Sequence, residues 1–294
     1  MKNLSVFVLF LFCLTFTLNG QVTTSGISGK VTAEGELLIG ATVQAVHEPS
    51  GTTYGTVTNA DGRYSLQGMR IGGPYTVEVS YVGFQKAVYK NITLQLGETY
   101  LLDVKLTESL SLDEVVVTAS KAALFNSQKT GAAQNFNQEQ IMSTPSVSRS
   151  VFDITKMNPM GVNTGSGMSF AGSSNKYNSF QIDGTVNNDV FGLSSSGTNG
   201  DQAGANPISL EAIEELQVVV APFDVRQSGF TGGGINAITK SGTNTFHGSG
   251  YWYYNNENFY GKTPGKNVTN RTKLGDQNSG TYGFTLGGPI IKNK

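Results

Sequence analysis

The side chains able to do covalent or acid–base chemistry are few and poorly placed for it. His47 and His247 are the only histidines, and neither has a neighbouring carboxylate cluster that could orient its ring. No spacing of His, Cys and acids matches a zinc site. Cys13 is the single cysteine and lies inside an apolar leader. Once that leader is removed, the chain has neither a thiol nucleophile nor a disulfide. The stretch GSGMSFAG at 165–172 is rich in glycine, yet it lacks the strand-then-helix setting of a phosphate or nucleophile loop. Asp153, Asp183 and Asp189 show no pairing that sequence can establish. Asn59 and Asp61 lack the later Glu that would complete a calcium loop, and read as turn residues. These residues argue against an enzyme and call for no cofactor or metal.

One segment is suited to backbone chemistry instead. In SLDEVVVTAS, residues 111–120, Asp113 and Glu114 lead into Val115, Val116 and Val117, and Thr118 opens a polar run. Branching at Cβ holds such a segment extended. An extended strand with unpaired N–H and C=O groups can add to the edge of a partner's sheet, and its stiffness reduces the entropy lost on docking. The other possibility is that it completes a sheet of its own chain. The residues alone leave both open.

Stepping outward from that strand, residues 1–20 have the layout of a secretory signal peptide. Lys2 is followed by an apolar run from Val6 to Leu18 and a small-residue exit at Asn19-Gly20. Lys and Arg number 20 against 21 Asp and Glu, so the chain lacks the basic excess of a nucleic-acid binder. Glycine is abundant at 37 residues, with 12 Tyr and 16 Phe but only 8 Pro, which favours hairpins and aromatic-anchored strands. No later run is long and apolar enough for a membrane helix, so a membrane role would need a barrel.

Residues 21–108 read as an all-β sandwich of seven strands: 26–32, 41–47, 52–58, 63–67, 74–82, 86–94 and 99–106. Tyr75, Val77, Val79 and Tyr81 alternate with Thr76, Glu78 and Ser80, the signature of a strand with one face in a core. Tyr54, Tyr64, Tyr75 and Tyr81 are expected in that core or beside it. Residues 109–121 form a linker around the valine strand. Residues 122–241 mix short helices and strands into an α+β domain. Helices are expected at 146–161, through Val147, Val151, Ile154 and Met157, and from Ser209 as a cap. The second helix should run into a strand at Leu216–Val220, with another strand at 233–240. Between them, the strand in NSFQIDGTVNNDVFG ends in an Asp183-Gly184 turn, and a Ser/Gly/Asn-rich loop at 193–206 is long enough to suggest function or mobility. From 242 to 294, TFHGSGYWYYNNENFYG and SGTYGFTLGGPIIKNK alternate small or polar residues with aromatics. Strands of ~10 residues with a dyad repeat are those of an outer-membrane barrel, here only its beginning.

Three stretches carry a family resemblance in the first domain: ISGKVTAEGELLIGATV, TNADGRYSL and GGPYTVEVSYVGFQ, which resemble the carboxypeptidase regulatory-like domain. A more specific likeness lies at 208–240, where Ile213-Glu214-Glu215-Leu216, Gly233-Gly234-Ile235-Asn236 and Ile238-Thr239-Lys240 fill the places of a plug-domain signature. FQIDGTVNND, with Asp183-Gly184, resembles the same family's plug strand. Taken in order, the parts resemble the N-terminal region of a TonB-dependent outer-membrane receptor of the SusC-like or Oar-like kind found in Bacteroidetes-type bacteria. Ala221-Pro222-Phe223-Asp224 departs from the loop common in SusC relatives and favours the Oar-like branch.

The resemblance implies an outer-membrane location, with the sandwich and residues 113–118 in the periplasm. It makes Asp113 to Thr118 a TonB box, the strand on which TonB and its inner-membrane energy-coupling proteins would pull. It further implies a plug within a barrel of about 22 strands, contact with outer-membrane lipid, and in some branches a SusD-like lipoprotein partner. The imported ligand is unspecified, with oligosaccharide, peptide and siderophore as the classes. The alternatives are a secreted adhesion or carbohydrate-binding protein working through its sandwich, and an Oar-like barrel for surface organisation or export.

Overall fold

The computed structural model describes residues 22–292 apart from 109–114, 119–131, 147–148, 166, 204, 223–226, 228 and 264–270. The signal peptide, Asp113, Glu114, Val147 and most of the Ala221–Asp224 loop therefore lie outside the described residues. Two compact units make up the chain, Met1–Ser241 and Gly242–Lys294.

Within the first unit, residues 25–106 form the sandwich. Its strands are β1 (Ser25–Ala33), β2 (Glu36–Leu37), β3 (Thr42–His47), β4 (Thr52–Val57), β5 (Arg63–Met69), β6 (Gly72–Ser80), β7 (Ala87–Leu94), β8 (Thr99–Leu101) and β9 (Val104–Leu106). One sheet centres on β1, paired with β2, β5, β8 and β9; the other runs β7-β6-β3-β4. Alternation dictates the core. Val77 and Val79 are fully buried together with Tyr75, Val43, Ala45, Ile27 and Val31, while Thr76 and Glu78 point outward. Tyr64 is buried, and Tyr54 and Tyr81 pack against the same core, as the alternation predicted.

The expected strand at 99–106 is broken in two. The carbonyl of Leu102 accepts the Tyr64 hydroxyl at 2.7 Å, and Asp103 Oδ1 accepts the Lys30 N–H at 2.9 Å. Side-chain bonds thus replace ladder bonds at the break. Asn59 is a turn residue, its Oδ1 accepting the N–H groups of Asp61 and Arg63.

The second body of this unit is built on a five-stranded sheet. In chain order its strands are β11 (Ala132–Asn137), β14 (Ser179–Ile182), β15 (Thr185–Val186), β16 (Ile213–Val220) and β17 (Gly233–Thr239), arranged β11-β16-β17-β14-β15. A small hairpin of β12 (Gly161–Asn163) and β13 (Met168–Phe170) stands beside it, on the stretch whose glycines hinted at a phosphate loop. Phe136, Phe170, Phe180, Ile213, Leu216, Val218 and Ile235 form the core.

Helices are shorter than the sequence suggested. Helix α1 (Gln138–Ser143) starts at a capping box of Asn137 and Gln140, in a stretch that lacks apolar periodicity. Helix α2 (Val151–Thr155) covers only part of the expected run and is capped by Ser150. The helix expected from Ser209 is a single 3₁₀ turn, Leu210–Ala212, and Ser209 makes no cap bond. Extended backbone begins at Ile213 rather than Leu216. The reason is tertiary. β16 is hydrogen-bonded on both edges, to β11 and β17, and nearly all of its residues are buried. Its sequence therefore shows no strand alternation.

The second unit is one antiparallel hairpin, β18 (His247–Asn256) and β19 (Asn278–Gly287), ten residues in each strand.

Candidate functional site

The valine strand is not free. As β10 (Val115–Thr118) it lies parallel to β7 at the edge of the sandwich sheet, with Val115 opposite Ala87 and Thr118 opposite Lys90. This corrects the expectation of an unpaired backbone in favour of the same-chain alternative. Among the described residues pairing is one-sided, because β10 is the outermost strand of the order β10-β7-β6-β3-β4. Successive residues of a strand direct their N–H and C=O groups to opposite edges. Alternate residues of β10 thus still present backbone groups outward. The β7 edge is irregular just past Lys90. At Asn91 the backbone turns left-handed, with φ of 63°, and the β6–β7 register slips between Val77↔Tyr89 and Tyr75↔Ile92. That irregularity ends the regular edge at Lys90.

Beyond it, β7 runs into the turn that leads to β8, and this turn meets the five-stranded sheet. Leu96, in that turn, is fully buried and packs with Ile71 and Ile238. Both of its backbone groups are taken by side chains of the five-stranded sheet. Its N–H donates to Glu215 Oε1 at 2.9 Å, and its carbonyl accepts from Gln217 Nε2 at 2.9 Å and Asn135 Nδ2 at 3.3 Å. Asn135 and Gln217 face each other across β11 and β16, and Asn135 Nδ2 also donates to Glu215 Oε1 at 2.8 Å. A second tie joins Asn236 Nδ2 to the carbonyl of Val22. Burial pushes the Glu215 carboxyl up to about 7, the Leu96 and Asn135 bonds pull it back, and the nearby Glu98 and Glu214 raise it further. Glu215 lies inside the recognised Ile213–Leu216 stretch, but Leu96 was missed. Its only sequence signal is an apolar residue set just before the turn at Gly97.

The signature residues converge on β14, β16 and β17. Asp183 and Gly184 both have positive φ, 49° and 79°, as a two-residue hairpin between β14 and β15 requires. The Asp183 carboxylate then reaches across the sheet, accepting the Thr239 N–H at 2.8 Å and its hydroxyl at 2.7 Å. Gly233 has no room for a side chain, since a Cβ there would sit 2.4 Å from the Phe170 ring. Gly234 is similarly covered by Phe230. Ile213 and Ile235 are core residues. Lys240 donates its backbone N–H to Ala212. Burial lowers the Lys240 ammonium, and Glu214 opposes that shift.

The Ser/Gly/Asn loop is closed by carboxylates. Asp189 accepts the N–H groups of Phe191 and Ser194, while Asp201 accepts from Ser195 Oγ at 2.7 Å and Ser196 N–H at 3.0 Å. These bonds hold both carboxyls below the usual range. Val190, Phe191 and Leu193 are left exposed at the tip.

On the separate hairpin, cross-strand register sorts the side chains by face. Trp252 lies opposite Tyr282, Gly250 opposite Phe284 and Gly248 opposite Leu286. Trp252, Tyr282, Phe284 and Leu286 are each at least 75% exposed, an apolar face on this hairpin. On the opposite face Ser249 and Thr285 share a hydrogen bond at 2.7 Å.

Known proteins resemble the chain module by module. Residues 26–107 match the carboxypeptidase regulatory-like domain family, and residues 238–294 match an outer membrane beta barrel domain family. The TonB-dependent transporter Oar of Myxococcus xanthus is 29% identical over 252 residues, covering 81% of this chain and 22% of that protein. The TonB-dependent receptor P26 of Formosa agariphila is 34% identical over 131 residues, covering 43% and 12%. Both relatives are a TonB-dependent transporter or receptor, and the chain resembles them in its N-terminal modules. The chain described here spans 22% or less of the length of either relative. Its barrel segment places it in the outer membrane, and the two relatives are named as a transporter and a receptor. Among solved structures, the siderophore receptor PirA of Pseudomonas aeruginosa aligns with 54% of this chain and 26% of its own, at 21% identity and a TM-score of 0.36. Catechol 1,2-dioxygenase of Acinetobacter radioresistens aligns with 33% and 58%, at 13% identity and a TM-score of 0.25. Neither overlap defines a common fold.

Proposed function

We propose that this chain is the N-terminal part of an importer that moves a ligand across the outer membrane when TonB, driven from the inner membrane, displaces the plug. In this reading residues 21–108 are a periplasmic module, 109–121 carry the TonB-paired strand, 122–241 are the plug, and 242–294 begin the barrel. Asp113 to Thr118 is the segment that TonB grips. The observation that carries the reading is the outer edge of β10, a strand with one side of its backbone open among the described residues, in a chain related to TonB-dependent transporters. Strand addition there needs only backbone bonds and little ordering. A SusD-like lipoprotein is a further candidate partner, at the outer face.

A pull-down with the periplasmic C-terminal domain of TonB tests the reading. The chain should be retained, and Val116→Pro, which removes a backbone donor and forbids a regular strand ladder, should reduce retention at least tenfold. Equal retention of the two proteins would refute residues 113–118 as the gripped segment.

A further inference from the structure

Val22 is held more firmly than a segment leading into a first strand needs to be. It is 8% exposed, and its carbonyl accepts Asn236 Nδ2 at 3.3 Å. The residues after it stay on the same support. The Gly97 N–H donates to the Thr24 carbonyl at 3.3 Å, and Ser25 Oγ donates to the Glu98 carbonyl at 2.6 Å. Gly97 also lies against Val22, since a Cβ there would sit 3.6 Å from Val22 Cγ1 and 3.7 Å from Gln217 Nε2. Val22 forms one wall of a recess in the five-stranded sheet, with Gln181, Gln217, Gln227, Phe230 and Asn236 around it. No described residue lining the recess is charged. Asn236 is nine-tenths buried, and its Oδ1 has no hydrogen-bond partner among the described residues. Burying an acceptor unpaired is costly, which points to a donor that enters the recess.

We propose that this recess binds the chain's own processed amino terminus. Hydrolysis of the Gly20–Gln21 bond at the small-residue exit of the leader leaves a carboxylate on Gly20 and an amino group on Gln21. Gln21 lies outside the described residues, but two residues of chain keep its nitrogen within about 7 Å of the Val22 carbonyl. Asn236 then works as a two-pronged clasp, with Nδ2 on the Val22 carbonyl and Oδ1 accepting from the Gln21 amine. Before cleavage that nitrogen is an amide with one fixed donor and residues 1–20 attached. After cleavage it is an ammonium whose three donors rotate to suit the acceptor. Leader removal is thereby coupled to the joint between sandwich and sheet. Val22 touches Gly97, and Leu96 beside it is the residue whose peptide groups the sheet holds. The clasp is independent of TonB and acts earlier, when the exported chain folds.

The test compares whole chains that differ only at their start. One begins at residue 21 with a free amine, one begins there with an acetylated amine, and one carries Gly-Ser-Gly-Ser before residue 21. All three contain Gln21→Ala, so that the amine is not lost by cyclising with its own side chain. Amide hydrogen exchange is read at Leu96 and Gly97, and the free amine is labelled with an amine-reactive reagent at neutral pH. Exchange at Gly97 should be at least fivefold slower with the free amine than in the other two forms. Asn236→Leu should erase that difference and speed labelling of the amine at least fivefold. Near-UV circular dichroism from the buried Tyr64 and Tyr75 reports whether this variant keeps its sandwich; if it does not, the comparison of the three starts decides alone. Equal exchange in the three forms would overturn the clasp, because solvent would then serve Asn236 Oδ1. The intact mass of the chain exported by a bacterium should match a start at Gln21. A start beyond Val22 would also overturn the clasp, since the clasped residues would be gone.

Discussion

The backbone N–H of Leu96 donates to Glu215 Oε1 at 2.9 Å, although the two residues lie 119 apart in sequence and in different modules. A single leucine of the sandwich is thus seated in the five-stranded sheet, its peptide groups held by Glu215, Asn135 and Gln217. A buried carboxyl at such a joint makes the joint sensitive to pH.

Glu215 has a raised pKa when docked, about 7 against an ordinary 4.5. Docked chains therefore bind more protons than separated ones between those values, and the joint weakens as pH climbs from below 4.5 through about 7. The full effect is on the order of 3 kcal/mol. Melting curves from pH 5 to 8.5 should show Glu215→Gln losing less stability than the unaltered chain over that range. Parallel pH profiles would remove Glu215 as the titrating group.

Leu96→Ala should open a cavity between Ile71 and Ile238 and lower stability by roughly 2–4 kcal/mol. The loss belongs to the joint alone. Proteolysis near residues 95–98 should accelerate, while exchange at the sandwich-core positions Val77 and Val79 should not change.

Gly233→Ala places a methyl group against Phe170, an overpacking expected to remove about 1–3 kcal/mol. Phe170→Leu vacates part of that space. In a double-mutant cycle the pair should therefore lose less than the sum of the single changes. Additive losses would show that the glycine is needed for another reason.

Trp252 is the single tryptophan of the chain and sits on the exposed apolar face of the hairpin. A two-stranded hairpin cannot satisfy its edges inside hydrocarbon, so its expected behaviour alone is adsorption at a bilayer surface. Adding phosphatidylcholine vesicles should shift Trp252 emission to the blue. Phe284→Arg, on the same face, should abolish the shift, and Thr285→Arg, on the other, should leave it.

Much of this arrangement is readable from sequence where a local pattern has a local cause. Tyr75, Val77 and Val79 alternate because one side of β6 faces a core, and Asp183-Gly184 announces a turn because both positions need positive φ. The pattern fails where the cause is distant. Glu214 and Glu215 read as the end of a helix begun at Ser209, and only the neighbours β11 and β17 make them a strand. Leu96 looks like a turn residue, and nothing near it in sequence reveals Asn135, Glu215 and Gln217. The valine strand shows its extended form plainly, but nothing in its composition points to β7 as its mate.

β7 pairs with the valine strand along Ala87–Lys90 and leads into Leu96 just past its end. One strand thus carries both the mate of residues 115–118 and the side chain seated in the five-stranded sheet. A shift of β7 along its own axis would be felt at both contacts together.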